Sequence, residues 1–149
     1  MNPTEVTVSR TIPASPGKVF GVWMDPASPG SPWHGLPRLV IHMVKDGLFY
    51  FVIEHEGKAW AHYGRFLRIE RPDPDSADSP GVAEYTWVSE ATYGRESVVT
   101  IAFQPLEGET EITLRHSNLP DEAMGQRHEE GWMWMLNALA DRFSVHEEA

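Results

Sequence analysis

The sequence contains no cysteine, which excludes disulfide bonds and thiolate metal sites. It also has no run of about 18 apolar residues and no charged-then-apolar leader, so neither a membrane-spanning helix nor a secretion signal is expected. A cytoplasmic location is the default expectation, although the absence of cysteine is compatible with any compartment.

Positive charge is scarce as well. The 149 residues include 12 Lys and Arg against 22 Asp and Glu, a formal net charge of −10. Nucleic-acid binding is driven largely by Lys and Arg that neutralise phosphates, so we expect no nucleic-acid partner. The same charge disfavours anionic membrane surfaces, and no membrane insertion is expected. An acidic surface mostly serves solubility.

Motifs of common catalytic centres are also missing. The sequence has no nucleophile motif, phosphate-binding loop or dinucleotide fingerprint. Nothing therefore requires an enzyme, and no cofactor is predicted. With 41% hydrophobic and 23% charged residues the composition is that of an ordinary globular protein, and the length predicts a single domain over residues 1–149.

The strongest pattern lies in the last third of the chain. An alternating strand from Glu111 to His116 is followed by a turn at residues 117–120 and a long helix from about Asp121 to Val145. Apolar residues recur on one face of this helix, at Trp132, Leu136, Leu139 and Phe143. At ~1.5 Å per residue the helix is about 40 Å long, so it needs a broad apolar surface to lie across.

Short alternating segments precede this helix. A first strand is predicted at residues 5–12, and Ser15-Pro16 is a good start for a short helix that must stop before Pro26. Residues 25–37 contain four prolines and two glycines and predict a loop. Turn residues then separate strands predicted at 38–44, 48–55, 58–69, 82–90, 95–103 and 109–116, with an exposed, mobile loop at 71–81.

Consecutive strands joined by tight turns are antiparallel, and helices gathered on one face of such a sheet give an α+β architecture. The sequence therefore predicts a curved antiparallel sheet of six to seven strands wrapped around the long C-terminal helix, with short helices between strands 1 and 2.

Six segments also resemble a known family in their order along the chain. They are TIPASPGKVFGVWMDP (11–26), PWHG (32–35), YTWVSE (85–90), ESVVTIAFQP (96–105), TEITLRHSNLP (110–120) and HEEGWMWMLNAL (128–139). Together they resemble the START-like (SRPBCC, helix-grip) superfamily, in the branch homologous to the C-terminal domain of the activator of the ninety-kilodalton heat-shock protein's ATPase. The resemblance covers essentially the whole chain.

This resemblance implies the helix-grip fold that birch-pollen-allergen-like proteins share, with a deep cavity between the sheet and the terminal helix. In various members that cavity binds lipids, sterols or other apolar molecules. The sequence departs from the family pattern in three places: His34 replaces the second Trp of a Trp-Trp-Gly motif, Asp46-Gly47-Leu48 replaces a Gly-Gly turn, and the loop at 71–81 is longer.

The cavity implied by the resemblance would be lined by aromatic and imidazole side chains. Large aromatics with a polar N–H suit an apolar pocket that also offers donors, but they can equally well fill the core. The predicted lining residues are Trp23, Trp33, His34, Phe51, His62, Trp87, His116, His128, Trp132 and Leu136.

Four of these are histidines that could meet at one end of the cavity: His34, His62, His116 and His128. They would serve either as hydrogen-bonding groups for a ligand or as a metal set. No two of them have His-x-His or His-x₃-His spacing, so no metal is predicted. A core histidine satisfied by backbone or water is the alternative for each.

Two further features of the terminal helix give expectations. Gly131 costs about 1 kcal/mol relative to Ala in mid-helix, which suggests that a side chain there would collide with the sheet or close the cavity. Trp134 lies two residues from Trp132 and points away from the sheet, so together with Met133 it could mark a homodimer contact.

Three functions follow from these patterns. The first is a binding protein for a small apolar, aromatic or lipid-like molecule held in the cavity. The second, implied by the resemblance, is an interaction protein whose partner is a chaperone. The third is a cavity-based enzyme of the cyclase or hydrolase kind, with His116 and His128 as the first acid–base candidates.

Overall fold

A computed structural model of the chain describes residues 4–148, with side chains up to residue 144. Its elements, in chain order, are β1 (Thr4–Ile12), α1 (Pro16–Trp23), β2 (Val40–Ile41), β3 (Leu48–His55), β4 (Lys58–Glu70), β5 (Gly81–Ser89), a short 3-10 helix (Glu90–Thr92), β6 (Ser97–Leu106), β7 (Glu109–Leu119) and α2 (Glu122–Glu148).

The seven strands form one antiparallel sheet in the order β1-β7-β6-β5-β4-β3-β2. Strands that follow one another from β2 to β7 are antiparallel neighbours, and β7 also pairs with β1, the first strand of the chain. The predicted α+β fold, with its seven-stranded sheet and long terminal helix, is confirmed. One regular α-helix, α1, stands between β1 and β2 among the described residues, and the rest of that connection consists of turns.

The predicted strand at residues 38–44 is largely wrong, because only Val40–Ile41 enters the ladder. After it the chain turns back on itself, with Val44 N–H donating to His42 O at 2.9 Å and Gly47 N–H donating to Val44 O at 2.8 Å. A Cβ at Gly47 would lie 2.0 Å from His42 O, so this compact turn requires glycine. The remaining predicted strands shift by at most a few residues at their ends.

Both helices pack against the inner face of the sheet. From α1, Phe20 and Trp23 lie edge-on to Phe103 of β6, with ring centroids 5.0 and 6.3 Å apart. From α2, the predicted stripe is buried at Trp132, Leu136 and Leu139. Burial of each such side chain contributes about 1.5–3 kcal/mol, so these contacts account for much of the attachment of the helices to the sheet.

Asp121 begins α2 by accepting a hydrogen bond from Met124 N–H at 2.9 Å, which satisfies one of the free N–H groups of the first turn. The helix then lies closest to β1 and β7 at one side of the sheet. Over β3, β4 and β5 it is separated from the sheet by side chains and by open space. Within residues 4–148, no helix is both long enough and apolar enough to span a bilayer.

Candidate functional site

A cavity of about 270 Å³ lies between the inner face of β3–β5 and the first half of α2. Pockets for drug-sized ligands usually measure about 300–1,000 Å³, so this one has room for a molecule of one or two rings. Its lining comes from the 25–37 loop, the three strands, the 3-10 helix and α2: Pro32, Trp33, Leu36, Phe51, Ile53, His55, Trp60, His62, Tyr85, Trp87, Ala91, Arg127, His128, Gly131, Trp132 and Met135.

Aromatic rings in mutual contact form most of the cavity wall. Phe51 and His62 are directly opposite each other on β3 and β4, and their rings stack with centroids 4.7 Å apart and planes within 5°. The ring centroid of Trp87 on β5 lies 5.3 Å from that of His62 and 5.1 Å from that of Trp132 on α2. The wall is therefore continuous from the sheet to the helix.

A glycine in β4 allows this arrangement. A Cβ at Gly64 would lie 2.0 Å from the Thr86 carbonyl oxygen and 2.5 Å from Cε2 of Phe49. The Phe49 ring thus lies directly over the strand and contacts Trp33 at 5.0 Å. Through that contact the loop tryptophan is held beneath the cavity, where it is 1% exposed.

His116 lies behind the wall and has both ring nitrogens occupied. The Ser97 hydroxyl donates to Trp87 O at 2.6 Å, so its oxygen accepts from Nε2–H of His116 at 2.7 Å. Nδ1 of His116 in turn accepts from Nε1–H of Trp132 at 3.0 Å. This chain of bonds requires the neutral imidazole with its proton on Nε2.

Burial, together with the nearby His128, lowers the pKa of His116 to about 3, because a buried site without a counter-ion disfavours the charged form. The role of His116 as an acid–base candidate is therefore wrong for this arrangement, since it has neither a free nitrogen nor a pKa suited to proton transfer near neutral pH. It holds Trp132 in position instead.

His62 and His128 have one free nitrogen each. His62 donates Nδ1–H to the carbonyl oxygen of Trp60, two residues earlier, at 3.1 Å, and His128 donates Nδ1–H to Met124 O at 2.7 Å. Each neutral ring therefore presents Nε2 as an acceptor. Neither Nε2 has a hydrogen-bond partner among the described residues, and neither is fully enclosed by protein atoms.

Burial also lowers the pKa of both rings. The pKa of His62 falls to about 4, with the backbone bond to Trp60 opposing the shift and His128 adding to it. The pKa of His128 is lowered by burial first and then by Arg127, against the bond to Met124. At neutral pH His62 and His128 therefore each offer the cavity an uncharged imidazole acceptor.

Two cationic side chains, Lys58 and Arg127, lie over the Trp60 ring at the rim of the cavity. The Arg127 guanidinium carbon lies 5.1 Å from the centre of that indole, and Lys58 Nζ lies 4.3 Å from it. Lys58 is also paired with Glu90. Gly131 lies beside them on α2, where an added Cβ would have no atom within 4 Å. The expected collision of a side chain at this position with the sheet is therefore wrong.

Six of the ten predicted lining residues line the cavity: Trp33, Phe51, His62, Trp87, His128 and Trp132. The other four lie elsewhere. Trp23 of α1 packs against Phe103, His34 is exposed with Nδ1 3.1 Å from Pro26 O, His116 is behind Trp132, and Leu136, one turn after Trp132, is fully buried in the core.

Several lining residues were missed by sequence analysis although a signal for some was present. Trp60 shares its face of β4 with His62, and Tyr85 shares its face of β5 with Trp87. Burial raises the pKa of the Tyr85 hydroxyl, so it stays protonated. The Tyr85 hydroxyl and the indole N–H groups of Trp33, Trp60 and Trp87 are enclosed and have no hydrogen-bond partner, so the accessible polar atoms of the cavity are chiefly those of the histidines and Arg127.

Within residues 4–144, no group of three or more His, Asp or Glu side chains is placed to hold a metal ion. The two open imidazoles are therefore best considered as hydrogen-bond acceptors in an aromatic pocket. Such a site can orient a small molecule by stacking and by one or two hydrogen bonds.

Solved structures with the same fold span nearly the full chain. A protein designated ChR145 from Cytophaga hutchinsonii is 20% identical with a TM-score of 0.71, covering 98% of this chain and 97% of its own. The structure of an Aha1 dimer from Colwellia psychrerythraea is 14% identical with a TM-score of 0.67, covering 94% and 96%. Ara h 8.0201 is 11% identical with a TM-score of 0.70, covering 97% and 99%. At these identities the likeness shows the fold alone.

Comparison with curated proteins finds no significant match. The sequence model of the family described as "Activator of Hsp90 ATPase homolog 1-like protein" does match, over residues 13–144. That span includes α1, the strands from β2 to β7 and every described α2 residue that lines the cavity or joins the core. The chain therefore belongs to the family of Activator of Hsp90 ATPase homolog 1-like proteins.

Proposed function

We propose that this domain binds a small apolar or aromatic molecule in the cavity between β3–β5 and α2. The observation that carries the proposal is the cavity itself: about 270 Å³ of space lined mostly by aromatic rings in mutual contact, beside a core of buried apolar side chains. Protein interiors rarely leave a void of this size without a use, because each unfilled volume forfeits dispersion and hydrophobic free energy.

The size of the cavity restricts the ligand. Space for one or two rings accommodates an aromatic molecule or a short lipid-like chain, whereas a sterol or phospholipid would require the helix to move away from the sheet. Ring contacts with Phe51, Trp87 and Trp132 favour a flat molecule over a chain, since aromatic pairs add about 0.5–1.5 kcal/mol beyond area burial.

Native mass spectrometry of protein purified without denaturation tests this proposal. We expect an added mass that leaves on unfolding and that is absent from Gly131→Phe, whose ring would extend from an unobstructed position into the cavity mouth. Glu130→Phe is the matched control, because it adds the same ring at the neighbouring exposed position that does not line the cavity. A wild-type protein that is always empty and takes up no aromatic probe would refute the proposal.

A second candidate function is interaction with a chaperone, which the family description suggests. The observation that favours it is a row of exposed apolar side chains on the outer face of the sheet. Val40, Tyr50 and Tyr63 are opposite one another on β2, β3 and β4, and their exposed fractions are 68%, 41% and 52%. Leu48 of β3, on the same face, is 65% exposed. Contiguous apolar surface of this kind often marks a protein contact.

The test is the ATPase rate of the ninety-kilodalton heat-shock protein with and without this domain. Stimulation that is lost in Tyr50→Ser/Tyr63→Ser and kept in Gly131→Phe would assign the activity to the outer face. No change in rate with the wild-type domain would contradict the chaperone function and leave the cavity function untouched.

A further inference from the structure

The two open imidazoles restrict the chemistry of the ligand further, on the assumption that the cavity binds a small molecule as proposed above. We infer that the ligand is a planar aromatic molecule carrying an uncharged O–H or N–H donor, and that this donor bonds to Nε2 of His62 or His128. A phenol is the simplest member of this class. The inference rests on the geometry of the two rings and on what surrounds them.

The direction of the hydrogen bond follows from the backbone. Both histidines donate Nδ1–H to carbonyl oxygens, at Trp60 and Met124. A neutral imidazole has one proton, so Nε2 in each ring carries a lone pair. The ligand must then supply the hydrogen. An ether or ketone of the same shape has only acceptor oxygens and could not form a hydrogen bond with either Nε2.

The position of the acceptors indicates that the donor belongs to an aromatic ligand. His62 is itself part of the ring wall, stacked on Phe51 and 5.3 Å from Trp87. His128 is on the helix side of the cavity, and its ring centroid lies 4.9 Å from that of His116. A ring held against Trp87 and Trp132 therefore has one imidazole on the sheet side of the cavity and another on the helix side.

An anionic ligand is the main rival, because Arg127 lies at the cavity rim without an acidic partner among the described residues. A carboxylate directed to Arg127 would have to stay at the mouth, where solvent screens the attraction. Deeper in the cavity it would face the two Nε2 lone pairs, because the indole N–H groups of the lining and the Tyr85 hydroxyl are enclosed by protein atoms. A neutral donor satisfies the inner acceptors and leaves the guanidinium on the indole of Trp60.

Three probes of one shape separate these possibilities by equilibrium dialysis: 2-naphthol, 2-methylnaphthalene and 2-naphthoate. In a purely apolar cavity methylnaphthalene binds more tightly than naphthol, because burying an unpaired hydroxyl is unfavourable. We expect the opposite order, with 2-naphthol tighter than 2-methylnaphthalene by about three- to ten-fold, the effect of one net hydrogen bond. We expect 2-naphthoate to bind more weakly than naphthol.

The double variant His62→Phe/His128→Leu should reverse the order to favour methylnaphthalene. Its affinity for methylnaphthalene should stay within about two-fold of wild type, since the apolar wall remains. His42→Leu, an exposed histidine outside the cavity, should keep the wild-type order. The single variants His62→Phe and His128→Leu identify which ring accepts the bond and replace the double variant if that one does not fold.

Each other result has a distinct meaning. Methylnaphthalene equal to or tighter than naphthol would overturn the hydrogen-bond inference while the proposed binding function stands. Naphthoate as the tightest probe would also overturn it, in favour of anion recognition by Arg127. A naphthol preference that survives in the double variant would remove the assignment to these histidines. If none of the three probes binds, both the inference and the proposed function fail.

Discussion

Trp132 of α2 donates its indole N–H to Nδ1 of His116 on β7 at 3.0 Å. Both residues are buried, and His116 continues the bond through Ser97 of β6 to the carbonyl oxygen of Trp87 on β5. One polar chain thus connects the helix to three neighbouring strands. It sets the angle of the Trp132 ring, whose face closes the cavity against Trp87, so the shape of the cavity depends on a hydrogen-bond network that lies behind it.

Removal of one member of this network should lower the free energy of unfolding, because the polar groups of the other members stay buried without a partner. Ser97→Ala leaves Nε2–H of His116 without an acceptor, and we expect the free energy of unfolding to fall by about 1–3 kcal/mol. Urea titration at neutral pH measures this. Ser117→Ala is the matched control. The Ser117 hydroxyl is half-buried and donates a long hydrogen bond of 3.5 Å to Val98 O, so the free energy of unfolding should change by less than about 0.5 kcal/mol. Equal effects of the two variants would show that the chain contributes nothing.

The architecture could be predicted because its signals are local. Alternation with period two marks strands, the 3.6-residue stripe marks α2, and turn residues place the hairpins. Those signals predicted the inward direction of Trp87, His116 and Trp132, all of which are buried or half-buried. They could not predict which inward residues meet an empty space, since that depends on where α2 lies across the sheet. His116 is inward but covered by Trp132 for this reason.

The predictions that Trp23 and His34 line the cavity were wrong for a different reason. Trp23 lies just before the loop at 25–37 and His34 lies within it, and the prolines and glycines of this loop give no period, so no pattern predicts the distance of either residue from the sheet. Structure places Trp23 against Phe103 and leaves His34 at the surface. The network through Ser97 was invisible as well, because Ser97 is a small residue at the start of β6 whose importance comes only from its partners on β5 and β7.

Acidification should destabilise the fold before the carboxylates titrate. The pKa of His116 is about 3 and that of His62 about 4 in the folded protein, against 6.5 for an unperturbed histidine. The unfolded chain therefore binds more protons below pH 6.5. The stability contributed by the neutral rings is complete above pH 6.5 and is lost as pH falls towards 3, by about 1.4 kcal/mol per pH unit for each ring.

Urea titrations between about pH 7.5 and pH 4.5 measure this slope. His116→Gln keeps polar groups in place but does not titrate, so its slope should be smaller by about one proton. Ser97→Ala retains the buried imidazole and should keep the wild-type slope at a lower overall stability. A slope that is unchanged in His116→Gln would show that this histidine does not control the acid response.

The exposed indole of Trp134 predicts self-association of the domain. Its side chain is 68% exposed on α2, and Met133 beside it is half-buried. We expect sedimentation velocity to show a concentration-dependent dimer that Trp134→Gln shifts towards monomer by at least about five-fold in dissociation constant, the loss of a central aromatic anchor. Tyr93→Gln removes another exposed aromatic, 63% accessible, and should leave association unchanged. A wild-type protein that is monomeric at all concentrations contradicts the prediction.

Two glycines of α2 should respond in opposite ways to the same substitution. At Gly131 an added Cβ has open space, so Gly131→Ala should raise the free energy of unfolding by up to about 1 kcal/mol through helix propensity alone. At Gly125 the Cβ would lie 2.7 Å from Cγ2 of Thr4 on β1, and the strain of moving the strand should cancel or exceed that gain. Thermal unfolding of the two variants beside wild type measures the difference. If Gly131→Ala were destabilising, the helix would lie closer to the sheet than in this structure, and the cavity mouth would be narrower than the proposed ligand requires.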